Sequence, residues 1–143
     1  MAVTGFLAGN VPIKAFNKEV QWGTSVKVML LTSTAAPDQD TWIYKSSVTN
    51  EITGTGYTAG GQAIASPTAT YTAAGNISTF DAADTVWSGS TLTARYAVIY
   101  YDTGTAATSP IIGIINFGAD VSSTAANFTI TWNASGIFTF TIA

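Results

Sequence analysis

Two close pairs of carboxylates, Asp38 with Asp40 and Asp81 with Asp84, and one glycine-rich run hold most of the chemistry this sequence could perform. Asp38-Gln39-Asp40 resembles the opening of a calcium loop. That loop needs Gly at its sixth position, where Ile43 stands, and Glu at its twelfth, where there is none, so a turn is expected instead. A glycosidase would need its two carboxyls to face a sugar-sized cleft across roughly 5 to 9.5 Å. Asp81 and Asp84 flank Ala82-Ala83 beside a strand boundary, where Asp ordinarily serves a turn. Gly54-Thr55-Gly56-Tyr57-Thr58-Ala59 fits a loose dinucleotide pattern, but it lacks the buried strand before it and the helix after it that make phosphate binding work. With no His and no Cys, disulfides, zinc sites, thiol nucleophiles and Ser-His-Asp triads are all excluded. No catalytic residue, metal ligand or cofactor-binding residue is expected.

Five Lys or Arg and eight Asp or Glu make 9% of the 143 residues charged, against about 25% in an ordinary soluble domain. The net charge of -3 argues against nucleic acid, whose binding normally needs clustered Lys and Arg. No stretch is apolar enough to span a membrane, because Thr, Asn and Ser interrupt both charge-free stretches, 52–80 and 121–143. The first residues read neither as a secretory signal nor as an anchor. A folded monomer of this mass exposes about 7,000 Å², or roughly 500 Å² for each charge, as large as the biggest apolar patch a typical monomer tolerates. Threonine hydroxyls must supply much of the hydration. Such a surface suits burial against identical copies or a larger assembly, where charges are costly to desolvate.

The elements read as one domain over 1–143. Val11, Ala15, Phe16 and Val20 lie at helical offsets and predict a short helix over 11–20, with Pro12 near its start. Residues 24–34 predict a well-buried strand, and Pro37-Asp38 starts a loop that carries Trp42 and Tyr44. The four glycines of 48–61 predict a connection. Short strands follow at 63–65, 68–72, 77–80 and 85–87, with turns at 73–76 and 88–90. Residues 92–101, apolar on both faces, predict a central strand, and 111–117 another buried one. Phe128, Ile130 and Trp132 alternate with Thr, as do Phe138, Phe140 and Ile142 after Asn133-Ala134-Ser135-Gly136, which predicts a terminal hairpin with one apolar and one threonine face. The sum is an all-β fold, a β-sandwich or flattened barrel of about eight strands with one short N-terminal helix.

Arg95 lies within the most apolar strand, so a carboxylate partner or an aromatic face is expected for it. Asn76, Asn127 and Asn133 match the N-glycosylation pattern, which chance supplies readily in a chain so rich in Thr. Most of the four Trp and six Tyr are expected in the core. Trp42, Tyr44 and Tyr57, beside or within loops, are the expected interface residues.

The segments Pro37-Asp38-Gln39-Asp40, 48–61 (VTNEITGTGYTAGG), Ala94-Arg95-Tyr96-Ala97-Val98 and Phe128-Thr129-Ile130-Thr131-Trp132 resemble a family of small tailed-bacteriophage virion structural proteins. The likeness runs through most of the chain, from the early helix to the final hairpin. It implies a place on the virion, made in the bacterial host cytoplasm, as a capsid cement or decoration protein that binds and stabilises the assembled head. The implied partners are the major capsid protein and further copies of the chain as a homo-oligomer. Two alternatives use the same fold: a tail or fibre component contacting the host surface, and a β-sandwich carbohydrate-active enzyme.

Overall fold

The computed structural model describes residues 3–143. Two antiparallel sheets face each other: five strands in the order β1-β7-β6-β2-β3 and three in the order β4-β5-β8. The strands are β1 (Thr4–Leu7), β2 (Val26–Leu31), β3 (Gln62–Ala63), β4 (Ala65–Thr72), β5 (Ile77–Ala83), β6 (Thr85–Tyr101), β7 (Ile111–Ile130) and β8 (Phe138–Thr141). The eight-stranded, sandwich-like all-β fold is the one expected, and it is not a closed barrel. No helix is long and apolar enough to cross a membrane among the described residues.

The central strands explain why residues 26–31, 92–101 and 111–117 are apolar on both faces. Val26, Val28 and Leu30 of β2 pack into a core with Ala97 and Ile99 of β6 and Ile112 of β7. Trp22, Phe138 and Phe140 close that core from the side of the second sheet. Met29 and Leu31 point the other way, joining Val98, Tyr100, Ile111 and Ile114 beneath Ala35 and Trp42. The five-stranded sheet is therefore covered on one face by a sheet and on the other by the loop around Trp42. Burial of several large aliphatic side chains, at about 1.5–3 kcal/mol each, drives this layering.

Several local expectations are corrected. The helix α1 covers only Val11–Phe16, because the chain turns left-handed at Lys18 (φ 62°). Val11 is buried, but Phe16, expected on the inner face, is 91% exposed. Residues 88–90 do not reverse the chain. They form a bulge around Gly89 (φ 57°) within a continuous 17-residue strand, and 111–130 likewise runs as one 20-residue strand. A further shift between Ala94 and Tyr96, opposite Val121 and Asn116, breaks the alternation. Ala94 joins the first core and Tyr96 packs on the second, although strict period-two spacing would place them together.

The predicted terminal hairpin also does not form. Phe128 and Ile130 pair with Trp87 and Thr85 of β6, whereas β8 pairs with β5, in the other sheet. The alternation itself holds on both segments: Phe128 and Ile130 are buried between exposed threonines. Phe138 stacks on Phe80 at 4.8 Å, and Trp22 meets both rings edge-on. A turn that lets each apolar face reach a different layer buries more than a hairpin sharing one face. Strand β1 was not anticipated. It pairs with Gly113–Asn116 of β7 and is held by the Gln39 side chain, which donates to the Leu7 carbonyl at 2.9 Å.

Candidate interaction surfaces

The three residues expected at an interface lie apart, and each is engaged within the chain. Trp42 is 7% exposed, in the core that covers the back of the five-stranded sheet, which removes it as an exposed anchor. Its loop is held by Asp38, whose carboxylate accepts the Asp40 N–H at 2.8 Å and the Thr41 N–H at 3.2 Å. Those two bonds hold the Asp38 carboxyl below its ordinary pKa. Tyr44 is half-buried, with the Lys14 ammonium 4.5 Å from its ring centroid and hydrogen-bonded to its hydroxyl. Glu19 closes this group by accepting from Lys14 at 2.8 Å.

Tyr57 is half-buried too, and its neighbourhood explains the glycine run. Its hydroxyl donates to Glu51 Oε1 at 2.7 Å and accepts the Leu30 N–H at 3.0 Å. The same carboxylate oxygen accepts the Gly60 N–H, and the Tyr100 hydroxyl donates to the Gly60 carbonyl at 2.7 Å. Burial pushes both tyrosine hydroxyls well above their ordinary pKa of 10.0, with Glu51 adding to it. Residues 51–61 thus form a strap laid across β2 and β6. A Cβ at Gly54 would stand 2.5 Å from the Thr91 carbonyl oxygen, and one at Gly61 (φ +72°) 1.8 Å from that of Val28. The glycines permit close backbone approach, as in a dinucleotide loop, but here to the protein's own strands.

Asp81 and Asp84 do not converge on a cleft. Asp84 accepts the Trp132 N–H at 3.0 Å, and the Asp81 backbone carbonyl accepts from the Trp22 indole at 3.2 Å. No group of three or more metal-ligating side chains occurs among the described residues. Arg95 meets Asp120 at 2.9 Å on the bulge between Ala94 and Tyr96, so the expected carboxylate partner is present. Asn76, Asn127 and Asn133 each use their side-chain oxygen locally, accepting from Tyr71, Gly89 and Ser135.

Three features of the exterior have no internal explanation. On α1, Ile13 and Phe16 are 59% and 91% exposed. The outer face of the three-stranded sheet is a threonine array: Thr70, Thr79 and Thr139 lie directly opposite one another across β4, β5 and β8, and Thr72, Ile77 and Thr141 form the next row. The third is an apolar groove of two adjoining clefts, of about 380 and 390 Å³, that share Gly5, Ile115 and Ile137. Phe117, Val121, Phe128 and Trp132 line one cleft, Phe6, Ile114 and Phe138 the other, and no lining residue of either is charged.

Sequence reasoning missed this groove because it depends on β1 and on the parting of β7 from β8. The signal within reach was the charge-free run 121–143, which supplies much of its wall. No protein-family model, curated protein or solved structure matches the chain.

Proposed function

We propose that the chain is a structural protein of a tailed-bacteriophage virion, a capsid cement or decoration protein that binds the assembled head and bridges its subunits. The observation that carries this reading is the exterior. An accessible surface of 7356 Å² bears five basic and eight acidic side chains, together with a continuous uncharged groove and the exposed Ile13 and Phe16. An isolated soluble domain gains nothing from leaving that surface uncharged, whereas an assembled one avoids the cost of desolvating charge. The resemblance of four segments to phage virion proteins supports the same reading.

The mechanism is burial rather than bond chemistry. A protein that binds only the assembled shell stabilises it by mass action. Repetition over a symmetric lattice multiplies contacts of modest strength, each of about 800 Å² per partner in a standard interface. The test is cryo-microscopy of the particle. Density for this fold at regular positions on the head supports the proposal. Density confined to the tail or its fibres replaces it with the tail reading, and copy number separates the two independently.

A further inference from the structure

We infer that the outer edge of β7 from Val121 to Ile130, with the groove beside it, is a self-association face that takes the same edge of a second copy across a twofold axis. Strand β7 pairs with β1 only through Gly113–Asn116. Beyond that point its far side meets no strand among the described residues, while its near side stays on β6 as far as Ile130. The opposite edge of the same two-stranded arm is closed. There Thr55 bridges Thr91, Gly54 lies against the Thr91 carbonyl, and the Gln62 side chain donates to the Val86 carbonyl at 2.7 Å.

Natural sheets protect an exposed edge with charge, proline, bulges or a covering loop. Residues 121–130 contain no charged residue and no proline, and the nearest charge, Asp120, lies just before them and is engaged by Arg95. Two register shifts against β6 fall within this stretch, opposite Trp87–Ser90 and opposite Ser90–Leu92, the second beside Ala125 (φ 46°), and strand continues on both sides of them.

Two properties select a second copy as the occupant. Unpaired N–H and C=O groups alternating along a strand are best satisfied by another strand edge, and a twofold axis brings one edge antiparallel to itself without further adjustment. In such a contact every charge near the axis meets its own like, so a self-pairing surface must be nearly uncharged. The residues lining both clefts meet that condition without exception. Ten residues of strand run about 33 Å.

The experiment is sedimentation of the purified full-length chain over a wide concentration range with no head present, so its outcome is independent of the virion reading. The expected mass is about twice that of the single chain. Thr124→Lys sets like charges close to the axis, and Val121→Asp buries an unpaired charge at the end of the contact; each is expected to weaken dimerisation at least about tenfold while leaving the circular dichroism spectrum intact. Should Val121→Asp fail to fold, Thr124→Lys, at an exposed position, reads the same edge. Thr72→Lys, on the outer face of the other sheet, is expected to leave the mass unchanged. A monomer at every concentration overturns the inference, even if that monomer binds heads through this edge. So does a dimer that Thr72→Lys disrupts and Thr124→Lys does not.

Discussion

The Tyr57 hydroxyl donates to Glu51 at 2.7 Å, across the strap that holds both residues, while accepting the backbone N–H of Leu30. One side chain thereby fastens the glycine-rich strap to β2 and satisfies a strand donor that no neighbouring strand reaches. Tyr57→Phe keeps the ring beside Trp87 but leaves the Leu30 N–H and one Glu51 oxygen short of a partner. The expected loss is about 1–3 kcal/mol of unfolding free energy, read from the urea midpoint at unchanged slope.

Tyr57 and Tyr100 also set the alkaline limit of the fold. Both pKa values are raised above the ordinary 10.0, so both hydroxyls stay protonated in the folded chain where the unfolded chain has begun to ionise. Their contribution is fully present below pH 10 and is lost as pH rises from there through the folded values. Each tyrosine should remove about 1.4 kcal/mol per pH unit in that window. Urea midpoints at stepped pH should be level before the window and fall within it, less steeply in Tyr57→Phe.

Asp102 contributes to the acid limit in the opposite sense, as Asp38 does. Its carboxylate accepts a bond from Lys27 in a 2.6 Å ion pair and another from the Gly104 N–H, which together lower its pKa below the ordinary 3.8. That stability is present above pH 3.8 and is lost as pH falls through the folded value. Asp102→Asn should make this part of the curve shallower and leave the alkaline part unchanged.

Gly61→Ala should be severe. Its Cβ would overlap the Val28 carbonyl in a backbone conformation that L side chains rarely adopt. A loss of more than about 3 kcal/mol is expected, against less than about 0.5 kcal/mol for Gly23→Ala, where a Cβ meets nothing within 4 Å. Thermal unfolding of the two variants in parallel makes the comparison.

The two-layer β architecture was legible in the sequence because period-two patterning and two-sided apolar strands follow directly from which faces are buried. Residues 92–101 and 111–117 announced themselves in that way. The continuity of β6 and β7 was not legible, since Ser88-Gly89-Ser90 has the composition of a turn and a bulge uses the same residues. Which strand β8 would join was equally hidden. Local alternation fixes the buried face of a strand but not its neighbour, and pairing with β5 is decided by Phe80 and Trp22, far away in the chain. Of the interface residues, Trp42 misled because a loop that covers a sheet needs a large apolar side chain as much as a docking loop does. Phe16 misled in reverse: it lies within the six-residue helix, but the packed side of that helix carries Val11 and Lys14, the latter turned in to Tyr44, so Ala15 and Phe16 face outward.

Arg95 illustrates how exposure changes an energetic reading. Its place in the strand pattern suggested a buried guanidinium, yet the pair with Asp120 lies at the surface, with side chains 28% and 46% exposed. Arg95→Ala should therefore cost less than about 1 kcal/mol, and added salt should shrink even that difference.

The most direct test of the central claim, that this charge-poor exterior is completed by an assembled phage head, is co-sedimentation of the purified chain with heads that lack it. Saturable binding at a stoichiometry set by the capsid lattice is expected, with heads that then resist heat or dilution better than bare ones. Protein that remains in the supernatant at every concentration, as a freely soluble single chain, contradicts it.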